Sequence, residues 1–274
     1  MKSKYFLGID GGTESIRAGI FDANGRALGF EASPYQTSFP HASWAEQNPE
    51  EWWQALRIAI PAVIAKTRIK TSEIAAMAID TTCCTVVALD KNKKPLRPAL
   101  LWMDVRASEQ AAEIMKSKNS ALQVNNAGKG PLSAEWFLPK VMWIKNNQPK
   151  IYEQADTFCE YQDYLNYRLT GRMVVSINNA SIRWHYNKNT GGFSQDLLND
   201  IGLREVKDKL PKDVLPLAEI VSGLSKQAAA ELGLPEGLPV AQGGADAFIG
   251  MIGLNVVARA AWLLSPARHI CTLV

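Results

Sequence analysis

The sequence predicts an α/β fold, and three observations carry that reading. Short apolar, β-branched runs alternate with longer amphipathic stretches along the 274 residues, the pattern of strands covered by helices. Two strand-like runs break into glycine turns that each carry an aspartate, Asp10-Gly11-Gly12-Thr13 near the start and Gly243-Gly244-Ala245-Asp246 near the end. Polar side chains gather at strand ends ahead of helices, where α/β proteins place their sites. The length allows a sizeable core, in one large domain or two small ones.

The opening stretch predicts a meander. Residues 6–9 make a short apolar strand, the Asp-Gly-Gly-Thr turn follows, and a second strand begins near Ile16. Asp22-Ala23-Asn24-Gly25-Arg26 then turns the chain into a third strand over 27–33. Asn48 caps a helix with Pro49 at its first position and Glu51 at its third, running to about Lys66 on an apolar face of Trp52, Leu56, Ile60 and Val63. Pro61 is awkward in its interior, a place for a kink.

Residues 74–80 read as a buried strand, 81–90 continue or follow it, and 99–102 form another before a helix over about 103–117. The turn-forming run 125–131 reads as a mobile surface segment. Helices follow over 133–147 and, in one or two pieces, over 151–170, stopping at Gly171. Strands at 173–177 and 182–186 flank the polar turn Asn178-Asn179-Ala180-Ser181. Two short helices, a helix over 225–232 ending at Gly233, and a strand over 238–242 lead to the second glycine turn and an apolar helix.

Composition narrows the function classes. The net charge of +3, with acids and bases mixed, is too weak a basic balance for nucleic acid or an anionic membrane. The apolar run from Tyr5 to Ile9 is shorter than a signal-peptide core, and no stretch approaches membrane-spanning length. The expectation is a cytoplasmic protein. Cys83, Cys84, Cys159 and Cys271 lack C-x-x-C spacing and read as reduced thiols. The histidines are scattered, which argues against zinc.

Candidate site residues follow from chemistry. Adjacent glycines let backbone approach a ligand and aim successive N–H groups at one point, Thr13 and Ser15 add hydroxyls, and Asp10 adds a carboxylate able to face Mg²⁺ through water. Each feature also has a plain structural reading. The first turn is a hairpin turn, Asp246 a helix cap, Cys83-Cys84 small fillers in a strand, and Asp104 a cap or a partner for Arg106. Asp80, Thr82, Trp102, Asp104 and Arg106 are candidates as a group. Together, the two turns supply what phosphoryl transfer needs, a cradle for phosphates and metal and a carboxylate to take a hydroxyl proton.

With both motifs in hand, the chain resembles the FGGY carbohydrate kinases from Tyr5 to about Val257. The resemblance rests on Gly8-Ile9-Asp10-Gly11-Gly12-Thr13, Leu101-Trp102-Met103-Asp104, Lys140-Val141-Met142-Trp143-Ile144, Asp163-Tyr164-Leu165 with Arg168-Leu169-Thr170-Gly171, Asn179-Ala180-Ser181 and Gly243-Gly244-Ala245-Asp246-Ala247, all in family order. It implies a ribonuclease H-like fold of the actin, Hsp70 and hexokinase type, with a mixed sheet and flanking helices. It also implies ATP, Mg²⁺ and transfer of the γ-phosphate to a sugar hydroxyl. By the same resemblance Asp246 is the catalytic base, Gly11, Gly12 and Thr13 the phosphate cradle, and Asp10 and Asp246 the carboxylates near Mg²⁺. Thr82, Cys83, Cys84, Trp102 and Asp104 fall where the family contacts sugar. Glycerol kinases carry Arg-Glu and xylulokinases Met-His at the positions of Cys83-Cys84. Asp80-Thr81-Thr82 and Ser133-Ala134-Glu135-Trp136-Phe137 look more like ribulokinases. A ketopentose such as ribulose or xylulose is the favoured substrate, and glycerol or another polyol the alternative.

The expected division is a sugar-binding N-terminal domain over 1–257 and an aberrant tail over 258–274, with the second, ATP-clamping domain of the family missing. A frameshift accounts for the tail: back-translation of 258–274 with permitted codons, less two bases, yields AGSLAFITGSSHLHLG, similar to the family's next segment. A catalytically inactive fragment, open to homo-oligomerisation, is then the rival reading. A non-catalytic actin-like nucleotide binder leaves the Trp102-Asp104 motif unexplained, and a Rossmann dehydrogenase lacks its G-x-G-x-x-G turn.

Overall fold

The computed structural model describes residues 4–124, 132–256, 262–264 and 270–272. The chain opens as the expected meander: β1 (Tyr5–Gly11), β2 (Ser15–Asp22) and β3 (Ala27–Pro34) pair antiparallel. Alternation turns Leu7, Ile9, Ile16, Ala18 and Ile20 into the core, so burial fixes the hairpin register.

A short strand, β4 (Glu46–Gln47), leads into α1 (Pro49–Thr67). Asn48 caps α1, its side chain accepting from Glu50 N–H at 3.1 Å. Glu51 closes no capping box; its carboxylate accepts from Gln36 N–H at 3.2 Å instead and ties the helix to the segment after β3. The helix runs through Pro61 to Thr67, burying the predicted face of Trp52, Leu56, Ile60 and Val63.

Next come β5 (Ile74–Thr81), β6 (Val86–Leu89), β7 (Ala99–Leu100), α2 (Ser108–Ile114), α3 (Phe137–Asn147), α4 (Pro149–Gln154), β8 (Thr157–Glu160) and α5 (Tyr161–Thr170). Within 151–170 the expected helix is interrupted by β8, which pairs antiparallel with β6 from Val86↔Glu160 to Leu89↔Thr157. All four of its residues are buried, and such a strand has no polar face to betray its period. After β9 (Val174–Ser176) the polar cluster expected as a turn is the start of α6 (Ile177–Arg183), because Ser176 caps it by accepting from Asn178 N–H at 3.3 Å.

The order closes with β10 (Tyr186–Asn187), β11 (Gly192–Phe193), α7 (Gln195–Asp200), β12 (Asp213–Leu215), β13 (Ile220–Gly223), α8 (Lys226–Leu232), β14 (Pro239–Ala241), α9 (Asp246–Gly253), β15 (Trp262–Leu264) and β16 (Ile270–Thr272). Ser225 and Gly233, the latter at φ +68°, bound α8 as expected. The run 125–131 lies outside the described residues, as does most of the tail 258–274, of which only the antiparallel β15–β16 pair is described.

Two sheets organise these elements. The larger runs β13-β14-β5-β1-β2-β3, with β1, β5 and β14 mutually parallel, and the smaller runs β4-β7-β6-β8. One core packs the large sheet against α1 and α5 through Ile9, Ile16, Trp52, Leu56, Tyr161 and Leu165. The other packs β6 and β7 against α3 and its neighbours, where Trp184 stacks on Phe137 at 3.7 Å between ring centroids. No helix among the described residues is long and apolar enough to cross a membrane.

Candidate functional site

The parallel register of β1 and β5 sets Asp10 beside Asp80 and Gly11 beside Thr81. Thr81 also bridges Ala245 and donates its N–H to Gly244 O at 3.3 Å, which brings the second glycine turn, and Asp246 after it, to the same strand ends. That turn requires glycine. A Cβ on Gly243 would lie 1.9 Å from Ile79 O, and one on Gly244 2.7 Å from Asn178 Oδ1. The cluster that opens α6 braces it, since Ser176 Oγ donates to Gly243 O at 2.7 Å and Asn178 Oδ1 accepts from Ala245 N–H at 3.0 Å. Asp246 is not the cap of α9. Ala245 holds that position, and Asp246 Oδ1 accepts from Ala247 N–H at 2.7 Å.

Three carboxyl groups thus share one edge, and their electrostatics show it. Burial, then the nearby Asp10 and Asp246, push the Asp80 carboxyl up to about 8, against the pull of Arg17. The protonated Asp80 donates to the Asp10 carboxylate, while Asp80 Oδ1 is buried with no hydrogen-bond partner among the described residues. Burial also raises Asp10, offset by Arg17 and by the Asp80 hydrogen bond, and it raises Asp246, offset by Ala247 N–H. Arg17 Nη2 lies 3.1 Å from Asp10 Oδ2. Among the described residues no group of three or more acidic, histidine or cysteine side chains is arranged to hold a metal by itself.

The first glycine turn is built for room rather than for unusual backbone angles. Neither Gly11 nor Gly12 has positive φ. A Cβ on Gly11 would lie 2.8 Å from Thr81 Cγ2 and 2.9 Å from Tyr161, and one on Gly12 3.2 Å from Arg17 Nη2. One expectation needs correcting here. Gly12 does not aim its N–H outward, because that N–H donates to Ser15 O at 3.1 Å; its carbonyl accepts from Tyr35 OH. Thr13 is held on two sides: Gln47 Nε2 donates to its carbonyl at 2.6 Å, and Trp102 Nε1 to its Oγ1 at 3.0 Å.

Thr82 to Cys84 leave the end of β5, with Thr82 N–H donating to Gly11 O at 3.0 Å. Thr82, Cys83 and Trp102 are half-buried. Cys84 is buried and sits at φ +65°. Lys140, fully buried on α3, donates to Cys84 O at 2.8 Å and to Leu101 O, joining the loops that follow β5 and β7. Burial pushes its ammonium down to about 8.

Asp104, expected as a sugar contact, is engaged within the protein. It is fully buried, and its oxygens accept from Ala45 N–H at 2.7 Å, from Arg106 N–H at 3.1 Å and from the Arg106 guanidinium at 2.6–2.9 Å. Arg106 in turn stacks 3.7 Å from the centre of the Trp44 ring. Local sequence already offered this pairing. Arg17 was not singled out, although counting back from the hairpin turn pairs it with Asp10.

The match to known proteins follows this geometry. The family model described as the FGGY family of carbohydrate kinases, N-terminal domain, matches residues 5–253. A ribulokinase from Geobacillus thermodenitrificans is 30% identical over 303 residues, covering 99% of this chain and 53% of that protein. A xylulose kinase from Bacillus subtilis is 28% identical, covering 98% and 52% respectively. The chain spans about half the length of the curated relatives it matches. The crystal structure of xylulose kinase from Rhodospirillum rubrum superposes with a TM-score of 0.84 at 25% identity, covering 94% of this chain and 52% of that one. Gluconate kinase from Lactobacillus acidophilus shares the fold with a TM-score of 0.82 at 23% identity, covering 92% and 50%. The mixed sheet with flanking helices is the ribonuclease H-like fold of these sugar kinases. On the match over residues 5–253 the chain belongs to the FGGY family of carbohydrate kinases, as its N-terminal domain.

Proposed function

We propose that this domain holds the sugar and the catalytic base of an ATP-dependent kinase acting on a small sugar or polyol, with a ketopentose such as ribulose or xylulose as the first candidate. The observation that carries the reading is the convergence of Asp246, on its glycine turn, with the Asp10–Asp80 pair at the ends of β1 and β5. In it, Asp246 accepts the proton of the attacking hydroxyl as that oxygen bonds to the γ-phosphorus and the bond to ADP breaks. Burial raises the Asp246 carboxyl, which suits a proton acceptor, and Ala247 N–H offsets part of that rise by favouring the charged form. Gly11 and Gly12 let the first turn pack closely where a Cβ would press on Thr81, Tyr161 and Arg17.

The donor set fits Mg²⁺, which keeps several waters and takes one or two carboxylates beside phosphate oxygens. Asp10 and Asp246 are the residues that would hold it, and the ion would neutralise charge on the transferring phosphate. Ribulokinase and xylulose kinase relatives favour the ketopentose.

A coupled ADP-release assay across ribulose, xylulose, glycerol and ribitol, with calorimetric sugar binding alongside, tests the reading. A ketopentose is expected to exceed glycerol at least about tenfold in kcat/KM, a discrimination of ~1.4 kcal/mol. Glycerol turnover equal to or faster than ketopentose turnover would overturn the substrate assignment. Because the relatives are about twice as long, sugar binding without ADP release would identify a fragment that binds but does not turn over.

A further inference from the structure

Cys83 and Cys84 are neighbours in the loop between β5 and β6, and their sulfurs lie 3.6 Å apart. In extended chain, successive side chains point to opposite sides. Here the backbone is turned back at Cys84, whose φ of +65° is a left-handed conformation that a non-glycine residue keeps only when its surroundings impose it. Two buried charges impose it. The Glu160 carboxylate accepts from Cys84 N–H, and Lys140 Nζ donates to Cys84 O at 2.8 Å.

The exposures of the two thiols differ. Cys84 is 4% exposed and Cys83 half-buried, so of the two residues it is Cys83 that presents surface to solvent. The contact with Cys83, with burial, pushes the Cys84 thiol well above its usual range. Cys84 therefore rests as a thiol donating to the Cys83 sulfur. Cys159, also free, is buried in β8.

We infer that Cys83 and Cys84 are a reversible two-electron oxidation site, closing to a disulfide between neighbouring residues when hydrogen peroxide enters the loop. The Cys83 sulfur attacks the peroxide, the O–O bond breaks, and the thiol proton leaves with the departing oxygen as water, giving a sulfenic acid. The Cys84 sulfur then displaces that hydroxyl. An S–S bond forms, the S–O bond breaks, and the Cys84 proton leaves with the hydroxyl as a second water. Two electrons pass from the sulfur pair to the peroxide. Neighbouring Cα atoms, ~3.8 Å apart, are closer than an unstrained disulfide spans, so a small dithiol reopens the ring. The functional consequence rests on the sugar-kinase reading, in which closure draws the Cys83 sulfur off the sugar face of the loop.

The test needs no activity. Tryptic peptide 71–91 carries both cysteines and no other. After hydrogen peroxide and alkylation of the whole protein, it is expected two hydrogens lighter and unalkylated, and dithiothreitol is expected to restore two alkylation sites. Cys84→Ser should abolish the loss of two hydrogens and leave a Cys83 sulfenic acid that dimedone traps. The inference is overturned if peptide 71–91 stays doubly alkylated, gains oxygen on sulfur without losing two hydrogens, or becomes linked to Cys159 or to another chain. Slower closure in saturating ribulose supports both the site and its place against the sugar. Closure at an unchanged rate leaves the oxidation site standing and removes the sugar-facing reading of the loop.

Discussion

The side of the site proposed for phosphate and the side proposed for sugar are held in place by different means. Asp10, Gly11 and Asp80 stand on strands, and the β2–β1–β5 ladder fixes them through backbone hydrogen bonds. Beyond Thr82, whose N–H makes a last bond to Gly11 O of β1, Cys83, Cys84 and Trp102 stand on loops. There the buried side chains of Lys140, Glu160, Asp104 and Arg106 do the holding. A ladder spreads its load over many peptide groups, whereas a buried charge concentrates it on a few. Substitutions of the strand carboxylates Asp10 and Asp80 should therefore be better tolerated structurally than substitutions of the buried charges on the sugar side.

The largest expected effect separates chemistry from scaffold. Asp246→Asn keeps shape and the bond from Ala247 N–H, so the melting temperature should hold. Turnover in the ADP-release assay should fall about 10²–10⁴-fold, the worth of a general base. Intact turnover would remove Asp246 from the role of base.

Next in size is a break on the sugar side. Asp104→Ala removes the acceptor of Ala45 N–H and of Arg106 Nε and Nη2 in a buried setting, leaving the guanidinium only Glu46, 2.8 Å from its Nη1. Urea unfolding should register a loss of about 3–5 kcal/mol, as for other buried pairs broken on one side. A loss below about 1 kcal/mol together with a raised sugar KM would return Asp104 to the role of sugar contact.

A smaller effect tests the ladder side. The unfolded Asp80 carboxyl ionises near its ordinary 3.8, while the folded one holds its proton up to about 8. Between these values the folded state binds more protons, so Asp80 contributes stability that is full below about pH 4 and is lost as pH rises through 8. Asp80→Asn should flatten this slope and raise the melting temperature at pH 8.5 relative to pH 5, by about 2–4 °C for each kcal/mol recovered. An unchanged slope would show that Asp80 does not carry the shared proton.

What was legible in the sequence follows the same division. The meander, α1 with its Asn48 cap and α8 between Ser225 and Gly233 were readable because their signals are local. β8 was not, since a strand buried on both faces shows no period. The cluster Asn178-Asn179-Ala180-Ser181 has the composition of a turn, and capping by Ser176 made it part of the first turns of α6. The glycine turns were visible as motifs, yet their reason was not. Gly243 is needed because Ile79 O fills the place of its side chain, a contact made across more than 160 positions of chain. The position of Asp80 beside Asp10 likewise depends on the parallel register of two strands that no local pattern reports.

The two sides are joined by a side-chain hydrogen bond from Trp102 Nε1 to Thr13 Oγ1 at 3.0 Å. The Thr13 carbonyl is separately tied to Gln47, itself bonded to Trp52 of α1, so removing the hydroxyl leaves the turn anchored. Thr13→Val and Trp102→Phe each delete one end of the contact and keep most of the volume. A double-mutant cycle is the suitable measurement, because it cancels whatever else Trp102 touches. Its coupling energy is expected at about 0.5–1.5 kcal/mol, the net worth of one ordinary hydrogen bond. If the coupling appears in stability alone, the bond only staples loop to ladder. If it appears again in the affinity for sugar with nucleotide present, the same bond carries the state of one side of the site to the other. A coupling of zero in both would mean that the ladder and the buried charges position their halves independently.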